Sequence, residues 1–330
     1  MQYSLLSALL LALLSLSRAS FNAGCSNHKP RTIVVDQSGH GQFTKVQQAI
    51  DSVPTMNSVW TRILVKSGIY KEKVIVPSDK PCIVLEGSSA SKTIIEWGDA
   101  IEVVKSATFT VYAENFKAKD IMFKNTYNEN TRPGDKYPIK QAPAFQVTSD
   151  KVSFYRCRFI SVQDTLSDLQ GRHYFRSCYI QGAIDFIWGY GQSVYQGCLI
   201  NATTGILGRA GYITAQGRDR ATDSGGYVFN RCIVVGTGPV YLGRAYGPYS
   251  RVVFYKTSLS NVVMPQGWSS WHYPGQESKI TYVETGCTGP GADMSGRVKW
   301  EKTLSNEELQ SLADANSFVN QDGWLQKQPF

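Results

Sequence analysis

The sequence is poor in the side chains on which much hydrolytic chemistry depends. Its 330 residues contain four histidines, His28, His40, His173 and His272. No Gly-x-Ser-x-Gly elbow occurs and no histidine stands as an evident triad partner, which argues against a serine hydrolase. The seven cysteines form no Cys-x-x-Cys pair, which argues against zinc. Charged residues make up 18% of the chain, below the usual quarter, and contain no run of Lys or Arg. A nucleic-acid partner is therefore not expected, although the formal net charge is +8. Long apolar runs are also missing. The Leu/Ala-rich stretch from Leu5 to Leu16 is too short for the ~20 residues that span a bilayer, so no membrane anchor is expected.

That stretch instead predicts a secretory signal peptide over residues 1–19, cut near Ala19. A short segment, 20–31, leads into one domain over 32–330. Export makes the chain a secreted, extracellular protein with disulfides permitted. With 42% hydrophobic residues the domain has ample material for a core.

Glycine (29 residues) and aromatic residues favour short strands over helices. Predicted strands include Thr32–Val35, Arg62–Val65, Val74–Val76, Ile83–Leu85, Thr93–Glu96, Ile101–Val104 and Phe109–Tyr112. One helix fits Thr44–Val53. Another follows Leu304, with Ser305 as N-cap and Glu308 closing a capping box.

The most informative pattern is a repeat. Cys157, Cys178 and Cys198 recur at an almost constant spacing of about 20 residues, a period typical of solenoids. Each lies in a similar run: Phe154–Phe159, Phe175–Ile180, Tyr195–Ile200, and later Phe229–Val234 around Cys232. Short strands at this period predict a parallel β-helix, an all-β solenoid capped by the first helix and closed by a C-terminal helical tail. Stacked coils would bring Cys157 and Cys178 within reach of a disulfide, or leave them as an unbonded ladder. The sequon Asn201-Ala202-Thr203 makes Asn201 a glycosylation candidate.

Asp164 and Asp185 keep the same spacing as Cys157 and Cys178, each lying seven positions beyond its cysteine. Stacked one coil apart, their carboxylates would lie roughly 5 Å from each other. Two such groups cannot both ionise easily, so one becomes an acid and the other a nucleophile. Gln141 and Gln163, one position further apart than the aspartates, stack similarly and offer amide donors.

Around these positions the chain resembles the pectin methylesterase (pectinesterase) family of plants and microbes. Gly68-Ile69-Tyr70-Lys71-Glu72 matches its GxYxE motif, Gln141–Phe145 its QAVAL, and Gln163-Asp164-Thr165-Leu166 its QDTL. Asp185–Gly189 is similar to DFIFG, and Leu242–Tyr246 to LGRPW. The likeness runs from about Thr32 to Leu325. It implies a right-handed parallel β-helix that removes methyl esters from homogalacturonan in the plant cell wall, without a cofactor. It also implies roles: Asp185 as nucleophile, Asp164 as acid then base, Gln141 and Gln163 as oxyanion hole, and Arg244 as the partner of Asp185. A monomer is expected, with pectin as substrate and a proteinaceous pectinesterase inhibitor as a partner. The inhibitor-like pro-region of many plant members is not expected here.

The departures fall beside the proposed catalytic residues. Trp188 replaces the second Phe of DFIFG and keeps an aromatic that can face a sugar. Ala245 and Tyr246 replace the Pro and Trp of LGRPW, giving a smaller platform with a hydroxyl. Trp268 and Trp271 are further cleft candidates, with core packing as the alternative. Tyr70 and Glu72 read as structural. Two other readings stay open: a polygalacturonase or lyase on the same fold, and a non-catalytic wall-binding protein.

Overall fold

The computed structural model describes residues 24–132, 134–135 and 138–329. The expected leader lies outside them. Among the described residues no helix is long and apolar enough to cross a membrane.

The chain winds into a right-handed parallel β-helix of three sheets. Sheet A has ten strands and sheets B and C have eight each. Every neighbouring pair is parallel. One coil runs Val152–Tyr155 in sheet A, Arg158–Ile160 in B and Leu166–Asp168 in C. The next repeats it with Arg172–Arg176, Tyr179–Gly182 and Ile187–Gly189.

The A-to-B corner explains the repeat seen in the sequence. A single residue turns the chain with positive φ: Arg156 (53°), Ser177 (53°), Gly197 (59°), Arg231 (53°) and Lys256 (50°). The following residue points inward. Cys157, Cys178, Cys198 and Cys232 therefore stack as a buried ladder. All four are free thiols, so the Cys157–Cys178 disulfide does not form. In-register parallel neighbours hold their Cβ atoms about one strand spacing apart, ~4.8 Å. A disulfide needs them closer, at ~3.5–4.5 Å. The disulfide of the structure joins Cys25 to Cys82, with Cα atoms 5.6 Å apart, and lies outside the repeat.

Beside the thiols runs an aromatic ladder. Phe154, Phe175, Tyr195, Phe229 and Phe254 stack with centroids 4.4–4.7 Å apart. Each ring continues the apolar face of its strand into the next coil, which makes the core one column.

The first helix spans Val46–Asp51 and buries Val46, Ala49 and Ile50 over the open first coil. Its own N-cap, Lys45, makes no capping bond. Glu72 does so from a distance, accepting Val46 N–H at 2.8 Å and Gln47 N–H at 3.0 Å. Tyr70 is buried and donates to Lys66 O at 2.9 Å. Both residues of the GxYxE motif are thus structural. Helix Asn306–Ala313 has the expected capping box between Ser305 and Glu308. With Phe318 and Val319 it covers Val194, Val228, Val253 and Val283 on the outside of sheet A.

Ile101–Val104 is not a strand. The sheet C position in that coil is taken by Phe109–Val111, and Ile101 lies in the connecting loop, 82% exposed.

Candidate active site

The B-to-C junctions are long and irregular, and they carry the polar residues. Asp164 and Asp185 occupy equivalent junction positions on successive coils. Gln163 bridges Ile184 on one side and Leu166 pairs with Ile187 on the other, so the two aspartates lie in register. Asp164 N–H donates to Ile184 O at 3.0 Å. Both adopt left-handed backbone, φ 60° and 48°, which Asp tolerates better than most residues. That kink turns both carboxyls out of the apolar column toward the junction.

The glutamines are brought into line by a bulge. Ala142 N–H donates to Gln163 O, whereas Ala144 and Phe145 both donate to Thr165 O, at 2.8 and 3.2 Å. The offset between coils is one position longer before this point than after it, so Gln141 falls opposite Gln163. The Gln141 side chain lies beside the Asp164 carboxyl and favours its charged form. Both glutamines line a cavity of about 440 Å³, walled further by Ile101, Val103 and Ile139.

Asp185 is held from two coils away. Arg244 Nε donates to Asp185 Oδ1 at 2.7 Å, and Arg244 Nη2 donates to Oδ2. The guanidinium lies between two rings, 4.2 Å from that of Tyr212 and 3.6 Å from that of Trp271.

Burial lifts the pKa of both carboxyls, but their neighbours differ. Asp164 is pushed well above the usual carboxylate range, by burial first and by the adjacent Asp185 second; the neighbouring Gln141 opposes this. Asp185 is raised by burial and held down by Arg244 above all, then by Arg209 and His272. Asp164 has the Asp185 anion beside it and a smaller opposing pull from Arg244, whereas Asp185 is bonded to Arg244 directly, so the proton resides on Asp164.

One wall of the cleft is aromatic. Tyr246 meets Trp188 edge-on at 6.2 Å, Tyr190 at 5.9 Å and Trp271 face-on at 6.0 Å. Trp188 sits in register between Ser167 and Ala215, whose small side chains leave room for the indole. Trp268 is not part of this wall. It pairs with Gly243 while Ser269 pairs with Arg244, so strand alternation turns it inward. It is 1% exposed and stacks on Tyr282 at 4.5 Å.

Arg209, Tyr190, Tyr212 and His272 escaped the reading of the sequence. They come from separate loops and strands and share no motif; only the fold gathers them. His173 is structural: it is fully buried and bonded to Asp168 at 2.5 Å and Ser149 O at 2.8 Å.

The pectinesterase family model matches residues 32–322. The chain belongs to the pectinesterase family. This pectinesterase is 49% identical to "Probable pectinesterase 55" of Arabidopsis thaliana, over 91% of its own length and 92% of the relative's. It is 48% identical to "Probable pectinesterase 29" of the same plant, over 90% and 89%. Among solved structures it is similar to the pectin methylesterase from carrot, with a TM-score of 0.84 and 33% identity, covering 92% of this chain and 98% of that one. A pectin methylesterase from Aspergillus niger superposes with a TM-score of 0.76 at 25% identity, covering 92% and 98%.

Proposed function

We propose that this pectinesterase is exported and removes methyl esters from homogalacturonan in the plant cell wall, with Asp185 as nucleophile and Asp164 as acid and base. The observation that carries the reading is the pair of in-register carboxyls with unequal charge surroundings.

Ionised Asp185 attacks the ester carbonyl carbon. The carbonyl oxygen gains negative charge and accepts hydrogen bonds from the Gln141 and Gln163 amides, which stabilise it without a buried counter-charge. Collapse of this intermediate breaks the bond to the methoxy oxygen. Methoxide is a poor leaving group, so Asp164 donates its proton and methanol departs. The uronate is left as an anhydride with Asp185. Asp164, now ionised, takes a proton from water, and the resulting hydroxide attacks the anhydride. Collapse expels the Asp185 carboxylate, which regains its ion pair with Arg244, and the uronic acid gives its proton to solvent as the uronate leaves. The aromatic wall of Tyr246 and Trp271, backed by the buried Trp188, packs against sugar rings, and the positive net charge draws in the acidic polymer.

The test is methanol release from highly methylated pectin by the wild type and Asp185→Asn. Release by the wild type without chain shortening, abolished in the variant, supports the reading. Chain shortening without methanol, or equal methanol from both proteins, overturns it.

A further inference from the structure

The three outer faces of the β-helix are finished differently. Sheet A is covered by the C-terminal helices. On sheet C, Trp188 and Ala215 are overlaid by Val103 and Tyr246. The outer row of sheet B is apolar for much of its length. Ile69, Ile94, Met122, Tyr179, Leu199 and Ile233 lie along it in register, interrupted by Arg158 between Met122 and Tyr179. Ile69, Leu199 and Ile233 are 51%, 36% and 49% exposed. Beyond Arg158 the half-buried Tyr179 and the exposed, adjacent Leu199 and Ile233 form an apolar patch, which on a secreted protein requires a cover or invites association.

The sequence places a cover beside it. Asn201 is two residues beyond Leu199 on the same strand and the same face, ~6.6 Å along it. It begins the only Asn-x-Ser/Thr sequon of the chain. Its side chain lies on the outside of the sheet: Nδ2 donates to Tyr179 Oη at 2.8 Å and Gln181 Oε1 at 3.3 Å. Tyr179 Oη also donates to Gln181 Oε1 at 2.6 Å, and the ring carries the Arg158 guanidinium 4.5 Å from its centre. Asn201 thus stands in a fixed position next to an anchored ring and two exposed aliphatic side chains.

We infer that Asn201 carries an N-linked oligosaccharide whose first sugars lie over Tyr179, Leu199 and Ile233 and keep this face of the β-helix from associating. The inference rests on the export proposed above. In the secretory pathway Asn201 Nδ2 attacks the anomeric carbon of a lipid-pyrophosphate-linked oligosaccharide. A C–N bond forms, the C–O bond to the pyrophosphate breaks, the lipid pyrophosphate leaves with the electron pair, and Nδ2 loses one proton. The nitrogen keeps its second hydrogen, so one of its two hydrogen bonds survives and sets the direction of the glycan. Sugar C–H faces then meet the aliphatic side chains and the ring, while the hydroxyls face water.

The full chain is secreted from a plant host as wild type, Asn201→Gln, and Asn201→Gln with Leu199→Lys and Ile233→Lys. Mass is measured before and after treatment with a peptide-N-glycosidase active on plant glycans. Association is followed by light scattering, and exposed apolar surface by the fluorescence of an anilinonaphthalene sulfonate dye. The wild type is expected to carry one glycan and remain monodisperse. Asn201→Gln is expected to lack the glycan, bind several-fold more dye and associate as concentration rises, and the two lysines should reverse both effects. Methanol release per folded molecule stays the same in all three. A secreted wild type at bare polypeptide mass overturns the modification. A glycosylated wild type whose Asn201→Gln variant stays monodisperse with unchanged dye binding overturns the covering role. A chain held inside the cell overturns the export on which both depend, whereas loss of methanol release from exported, glycosylated wild type counts only against the esterase reading.

Discussion

Cys157 and Cys178 inside the β-helix, and Asp164 and Asp185 at its B-to-C junction, are two pairs built by one geometry. Both pairs have the same separation in sequence and lie one coil apart in space. Within the column the contact is between neutral, apolar groups, and the result is packing. At the junction it is between carboxyls that cannot both ionise, and the result is a proton held in place. Stacking is therefore a neutral device, and the side chain it repeats decides whether a coil contributes stability or chemistry. The backbones differ as well. The A-to-B corner is a one-residue turn that keeps the inward rows aligned, while the B-to-C junction varies in length and contains a bulge.

The comparison is broken most strongly at Asp185. Asp185→Asn should lower methanol release on the order of 10⁴-fold or more while leaving the circular dichroism spectrum unchanged. Gln163→Ala should cost ~10²–10³ in kcat with little change in KM, because the amide acts on charge that develops in the transition state. A KM effect without a kcat effect would move Gln163 from oxyanion stabilisation to substrate binding.

Stability should shift in opposite directions at the two pairs. The Asp164 pKa is raised on folding, so the folded state binds more protons than the unfolded one. Its contribution to stability is present below the unfolded carboxylate value of ~3.9 and is lost as pH rises toward the folded value. Asp164→Asn should therefore inactivate the enzyme yet raise Tm near neutral pH, with the gain shrinking toward pH 4; a lower Tm at neutral pH would show that the charged form is the stabilised one. Cys25→Ser should cost ~2–4 kcal/mol in denaturant unfolding through loss of the disulfide. Cys178→Ala should cost only ~1–2 kcal/mol, as a small void in the column. Alkylation of the unreduced, denatured chain should label five cysteines; three would mean that a second bridge exists.

Much of this was legible in the sequence because it repeats. The period near 20 led to the solenoid, and the shared offset of the aspartates led to their stacking. The capping box at Ser305 was legible because it is local. What escaped does not repeat. Cys25 pairs across 57 residues with a cysteine outside the ladder. Arg209 and His272 reach Asp185 from separate loops. Trp268 and Trp271 looked alike until strand pairing showed that the first faces inward. The apolar run Ile101–Val104 reads as a strand by composition, yet its coil had no strand position left for it.

The distant cap at Glu72 implies an order of assembly. The helix Val46–Asp51 is synthesised before Glu72, but its first two amides find their acceptor only on that later residue. As the chain is made from its N-terminus, the plug can form early but cannot be fastened until the first coil beneath it has been wound past its second strand, Gly68–Lys71. The end of the solenoid is thus latched from behind, by the part of the wall built after it.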